Sequence, residues 1–188
     1  MKKSFTYMLL LSGLLASAAH AAVPKGWFVT GSAASDYDIG TEKGARVSGS
    51  TSVYLRAKEE NTGFGSVMQT IDATAYHGKR VRLSGYLRTK GAGKGQLWMR
   101  VDGADRKSVA FDNMELRAPQ GDHDWQRYDI VLDVPNDARD IAFGALLQNK
   151  GQVWADGLKF EVVGKDVPVT DDAAHTLPDA PVNLGFAD

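Results

Sequence analysis

Arg82, Ser84, Tyr86 and Arg88 alternate along the chain with Val81, Leu83, Gly85 and Leu87. A little further on, Gln96, Trp98, Arg100 and Asp102 alternate with Leu97, Met99 and Val101. A flat indole or phenol ring can stack on the face of a pyranose, and Arg, Gln and Asp can hydrogen-bond to hydroxyls. Mixed sets of this kind suit small polar ligands. The glycine-rich stretch from Gly91 to Gly95 reads as a hairpin turn, which would set the two runs side by side with both polar registers on one sheet face. Tyr54, Arg56, Gln69 and Gln148 are candidates for the same face. The ordinary alternative is a solvated sheet face, in which Arg–Asp pairs and aromatics merely cover neighbouring strands.

Other chemistry has little support in the sequence. Beyond residue 21 the histidines are His77, His123 and His175, widely spaced and in expected turns or tail. No His-Glu-x-x-His is present, and with no Cys there is no thiolate nucleophile and no cysteine zinc site. Gly91-Ala92-Gly93-Lys94-Gly95 lacks the spacing and the following helix of a phosphate loop. Asp122 and Asp124 have the residue type for glycosidase chemistry, but two acids in one turn are ordinarily turn formers. No nucleophile and base pair with a supporting group, so catalysis ranks third among the readings. Asp156 could bind a structural calcium together with Asp36 or Asp38 and backbone carbonyls, since calcium takes six to eight oxygens. Turn capping by the same aspartates is the plainer reading.

The elements that must position these residues are strands. Period-two alternation also runs through Tyr128 to Val134, and further strands are expected at 52–58, 64–72, 108–113, 140–148 and 153–162. Turn signals separate them, among them Glu60-Asn61-Thr62-Gly63, His77-Gly78-Lys79, Asp102-Gly103-Ala104-Asp105, Pro119 to Asp124 and Asn149-Lys150-Gly151. Eight or nine short strands, with only a helical turn near Asp72 to His77, argue for an all-β antiparallel sandwich or barrel.

Residues 1–21 read as a cleavable secretory signal: Lys2 and Lys3, an apolar run from Met8 to Ala18, then Ala19-His20-Ala21 before Ala22. That run is shorter than the roughly 20 apolar residues a membrane span requires. The expected location is periplasmic or secreted. Residues 22–164 then form one domain carrying a net charge of +1, and residues 165–188 an extended Pro-containing tail carrying −4. A nearly neutral body offers no field that would draw nucleic acid or anionic lipid. With no Cys, stability rests on packing.

The order of motifs resembles the galactose-binding-like jelly rolls, a class that includes many carbohydrate-binding modules. Tyr76-His77-Gly78-Lys79-Arg80-Val81-Arg82-Leu83-Ser84-Gly85 is similar to their Y-x-G-K strand. Asp124-Trp125-Gln126-Arg127-Tyr128 and Val153-Trp154-Ala155-Asp156-Gly157-Leu158 match two later steps. The resemblance runs from about Trp27 to Val162. It implies a two-sheet jelly roll, ligand binding on a sheet face or at loop tips, and often a structural calcium. It also implies that Trp125 and Trp154 are core or sheet-edge anchors, with Trp27 plugging one end. Two departures stand out. Gly157 occupies a position where a second aspartate often follows, and the usual opening strand before the first Trp is missing. Asn183-Leu184-Gly185-Phe186 is similar to that strand, so residues 182–186 are expected to return as an edge strand. The resulting expectation is an exported, non-catalytic binder of a carbohydrate or glycan. The alternative is a protein–protein interaction or envelope assembly module.

Overall fold

Alternating apolar residues can bury one side of a strand only if a second sheet covers them, and the chain meets that need twice over. The computed structural model describes residues 23–47, 49–170 and 184. The expected signal sequence lies outside them. Ten strands are present among the described residues: β1 (Phe28–Thr30), β2 (Tyr37–Lys43), β3 (Thr51–Ala57), β4 (Phe64–Asp72), β5 (Arg80–Ala92), β6 (Lys94–Gly103), β7 (Ser108–Asp112), β8 (Gly121–Asp133), β9 (Ala138–Gln148) and β10 (Gln152–Val163). They form two antiparallel five-stranded sheets, ordered β1-β4-β9-β6-β7 and β2-β3-β10-β5-β8. The fold is an all-β jelly-roll sandwich.

The core lies between the sheets. Leu83 and Leu87 of β5, Leu97 and Met99 of β6, and Ile141 and Leu147 of β9 are almost fully excluded from water. Burying each such side chain stabilises the fold by roughly 1.5–3 kcal/mol. A row of rings packs on the core: Trp27 meets Phe143 edge-on at 6.0 Å, Phe143 stacks on Phe160 at 5.2 Å, and Tyr76 meets Phe160 edge-on at 5.2 Å.

The connection between β5 and β6 differs from expectation. The two strands belong to opposite sheets, so the glycine-rich stretch is a corner and not a hairpin. A side chain at Gly93 would bring its Cβ to 2.5 Å from the Gln148 carbonyl oxygen, and one at Gly151 would meet Gly91 backbone at 2.3 Å. Only bare backbone allows the chain to turn this tightly from one layer to the next.

Two short strands and the segment after β10 add to what the sequence suggests. Residues 23–27 form no strand, and the first strand, β1, begins just after Trp27 and pairs Val29 with Val67 of β4. It was missed because three residues show too little periodicity, and β2 was missed because its pattern is interrupted by Gly40. The segment after β10 is docked as far as residue 170: Thr170 exchanges backbone and side-chain hydrogen bonds with Val131 on the edge strand β8, and Arg80 donates to the carbonyls of Lys165 and Val167. The expected return of residues 182–186 lies outside the described residues except at Leu184, which is exposed and not buried. No helix among the described residues is long and apolar enough to cross a membrane.

Candidate functional site

Assigning the strands to sheets separates the expected ligand residues. Gln96, Trp98 and Arg100 project from β6 on the outer face of the β1-β4-β9-β6-β7 sheet, and Gln148 joins them from β9. Arg82 and Tyr86 of β5 and Tyr54 of β3 lie on the outer face of the other sheet. Gln69 lies in the inward register of β4, opposite Phe143, and its amide donates to the Gly26 carbonyl at 3.4 Å. The expected single face is therefore two faces on opposite sides of the sandwich.

On the first face the chain builds a groove of about 400 Å³, lined chiefly by Phe64, Met68, Trp98, Phe111, Leu146 and polar neighbours. Trp98 shapes its floor. Its Nε1 donates to Ser66 Oγ at 2.9 Å. Ser66 is on β4, and β9 runs between β4 and β6, so the indole lies across a whole strand. Room for this exists because Gly144 stands opposite both Trp98 and Met68 in the register. The indole is buried against Ala142 and Leu146, with Phe64 and Met68 alongside.

Polar groups ring this apolar floor. Arg100 reaches over from β6 and is held by Asp102 at 2.8 Å. Asn113 lies in the loop after β7, and its carbonyl accepts from Gln96 Nε2 at 2.5 Å. Glu115 in the same loop forms an ion pair with Lys94 and accepts from the amides of Gln96 and Gln148, each at 3.4 Å. Its hydrogen bond from Lys94 holds the carboxyl below its usual pKa. These contacts dictate amide orientation. Turning Gln96 over would set its oxygen against a carbonyl and a carboxylate, so its Nε2 faces the loop and its Oε1 is left as a buried acceptor without a protein partner.

The loop itself is anchored from below. Asp112 is fully buried, caps Met114 N at 2.7 Å and binds Arg117 through both carboxylate oxygens. Met114 is buried at a positive φ of 58°, an uncommon conformation for a residue with a side chain. Phe64, Met68, Phe111, Asn113, Leu146 and Glu115 were not singled out from the sequence. The outward registers of β4 and β9 carried the signal for Phe64, Met68 and Leu146. Nothing local marked the loop residues.

The opposite face is occupied by its own contacts. Arg82 donates to Glu161, and Arg46 packs over the Tyr86 ring at 4.3 Å while pairing with Asp156 at 3.2 Å. Trp125 and Trp154, expected as core or edge anchors, lie in the outward register here. Trp154 is nonetheless buried and donates to Glu42 at 2.8 Å.

Asp156 is buried and accepts from Ser50 Oγ at 2.9 Å and Ser52 Oγ at 2.7 Å. Burial pushes its pKa up, but the bonds from Ser52, Ser50 and Arg46 outweigh that and hold it low. Asp38 stands level with Arg56 and Gln152, four residues along the strand from the rung of Asp156. The structure therefore does not bring the two expected calcium ligands together. Among the described residues no group of three or more His, Asp or Glu converges on one point. Gly157, in the place of the second aspartate, has a φ of 61° within a bulge between Asp156 and Lys159, a conformation that favours glycine.

The fold is a two-sheet jelly roll, and solved carbohydrate-binding modules share it. The C-terminal family 22 carbohydrate-binding module of Clostridium thermocellum Xyn10B superposes with a TM-score of 0.54 at 12% identity, covering 77% of this chain and 89% of that module. The CBM22-1 xylan-binding domain of Paenibacillus barcinonensis Xyn10C gives 0.52 at 15% identity, covering 73% and 86%. In sequence the chain is 40% identical over 166 residues to the uncharacterized HTH-type transcriptional regulator YbfP of Bacillus subtilis (strain 168). That match covers 86% of this chain and 56% of the relative. The chain thus spans about half the length of this curated relative. No family model matches.

Proposed function

We propose that this protein is an exported, non-catalytic binder that takes a glycan in the groove over Trp98. The observation that carries this reading is the indole spanning β9, pinned by Ser66 and flanked by Arg100, Asn113 and Gln148. An apolar aromatic floor suits the C–H face of a sugar ring, and a rim of fixed donors and acceptors suits its hydroxyls. The carboxylates beside the groove, Asp102 and Glu115, are each engaged by a cation, which fits hydrogen bonding better than proton transfer. The solved neighbours include a module described as xylan-binding, which supports a polysaccharide ligand without naming the one bound here. Export rests on the leader-like pattern of residues 1–21. As for the regulator relative, the described residues hold no α-helix and hence no helix-turn-helix. What is shared with it is read here as a ligand-binding sandwich.

A glycan array followed by calorimetry on the hits tests the proposal. Arg100→Ala and Asn113→Ala, which touch little of the core, should each weaken binding by about tenfold, the 1.4 kcal/mol scale of one good polar contact. Trp98→Ala should abolish it. An array silent for neutral and acidic glycans, or hits indifferent to Arg100 and Asn113, would overturn the assignment.

A further inference from the structure

The outer face of the β2-β3-β10-β5-β8 sheet is rich in arginine, and the arginines there find acceptors in a regular way. Arg46 pairs with Asp156, Arg56 with Gln152, Arg80 with Asp133, Arg82 with Glu161 and Arg127 with Asp129. Arg88 differs. Its guanidinium carbon lies 4.1 Å from the centre of the Trp154 ring and 5.3 Å from that of Trp125, and no hydrogen-bond or ion-pair acceptor meets it among the described residues. The two indoles are themselves fixed, Trp154 by Glu42 and Trp125 by the Ala45 carbonyl at 3.2 Å. The result is a guanidinium held between two immobile rings with its in-plane N–H fork unspent. Such a fork matches the two oxygens of a carboxylate.

One neighbouring polar group, outside the lining of the cavity, is also left unpaired. Gln152 is 8% exposed and stands opposite Lys90 in the register. Its Oε1 accepts from Arg56 at 2.9 Å, which fixes the amide, and its Nε2 is a buried donor with no protein partner. Arg88, Lys90, Asp122, His123, Asp124 and Trp154 line an open cavity of about 530 Å³ on this face. Each aspartate spends one oxygen on a backbone amide, Asp122 on Gly91 and Asp124 on Trp125. The remaining oxygens are acceptors suited to hydroxyls, and their charge disfavours a sugar ring that carries more than one negative group.

We propose that this cavity is a second binding site, on the sheet opposite the groove, for a saccharide bearing a single carboxylate per ring. The carboxylate docks on Arg88 and Lys90, and the ring hydroxyls on Asp122 and Asp124. The site stands apart from the groove, so either assignment can fail without the other.

The test is a titration of the full chain with trigalacturonate, using its fully methyl-esterified form as the neutral control, followed by calorimetry and by backbone amide shifts. The acid should bind and the ester should not. Binding should weaken as salt is raised, because the contact is ionic and partly exposed. Arg88→Lys, which keeps the charge but loses the planar fork, should weaken binding by about tenfold or more. Lys90→Ala, at an exposed position, should weaken it severalfold with no change in unfolding midpoint, and Arg100→Ala in the groove should leave it unchanged. Equal binding of acid and ester would overturn the proposal. So would loss of binding in Arg100→Ala, or no binding of the acid by a folded protein.

Discussion

The indole nitrogen of Trp98 donates to the hydroxyl of Ser66, two strands away in the same sheet, at 2.9 Å. Both groups are buried, so the bond fixes the floor of the groove and cannot be replaced by water without moving the ring. Ser66 Oγ in turn donates to the Ala145 carbonyl at 3.0 Å, which ties the ring to the backbone of β9.

Removing the hydroxyl should cost more than one average hydrogen bond. Ser66→Ala leaves a buried indole N–H without a partner, a loss of about 1–3 kcal/mol. Urea unfolding should show a lower midpoint at unchanged slope, and glycan affinity should fall as the ring loosens. An unchanged midpoint would mean the indole is not held by Ser66.

Gly144→Ala should disrupt the same floor by steric means. The added Cβ would lie 2.0 Å from the Val67 carbonyl oxygen, which belongs to the backbone of the neighbouring strand and has little freedom to yield. The expected destabilisation is about 1–3 kcal/mol or more, read in thermal unfolding, with loss of ligand binding.

The rim of the groove depends on a buried charge. Arg117→Ala would leave the fully buried Asp112 carboxylate without its cation. Breaking a buried pair costs about 3–5 kcal/mol, and partial exposure of Arg117 places this case near the lower end. Asp112→Asn should be milder than Arg117→Ala, since it removes the buried charge itself. A reversed order in denaturant melts would show that the pair does not anchor the loop.

Glu115→Gln should weaken ligand binding with little effect on folding. The carboxylate receives Lys94 and the amides of Gln96 and Gln148. An amide there offers only one acceptor oxygen, so the orientation of Gln148 is no longer dictated, and Gln96 is left with the Asn113 carbonyl alone. Side-chain amide resonances of both glutamines should shift or broaden, and unmoved resonances would count against the locking role.

Acid should loosen the seam between β5, β8 and the segment that follows β10. Asp133 is held at a pKa of about 2, down from 3.8, mainly by its hydrogen bonds from Arg80 and further by Lys165. A depressed carboxylate contributes stability that is fully present above its unfolded pKa. That contribution should be lost as pH falls from about 4 to about 2. Asp133 is nearly half exposed, so solvent tempers the effect. Arg80→Met should flatten this part of the stability–pH curve, and an unaltered slope would dismiss the linkage.

Much of the fold was legible from local pattern. The bounds expected for β4 agree with the structure, and those for β3, β9 and β10 differ by no more than two residues at either end, because period-two burial is written into neighbouring positions. β8 was legible only in its second half, since Asp122 to Asp124 look like a turn and yet continue the strand against β5. The outward placement of Gln96, Trp98 and Arg100 followed from the same alternation.

Which residues share a face did not follow. The sequence by itself determined that the chain forms alternating strands, that their inward positions build the core, and that Trp98 looks out from one of them. The tertiary structure alone decided that Tyr86 and Arg82 look out from the other side. Alternation specifies inside and outside for a single strand but carries no information about its neighbours. Neighbours are chosen by contacts between distant segments, here the close approach of Gly93 to Gln148 and of Gly151 to Gly91 that turns a supposed hairpin into a corner between layers. The groove arises the same way: Trp98, Gly144 and Ser66 lie far apart in the chain, and only the pairing of β6, β9 and β4 lays an indole across a strand that has no side chain to block it.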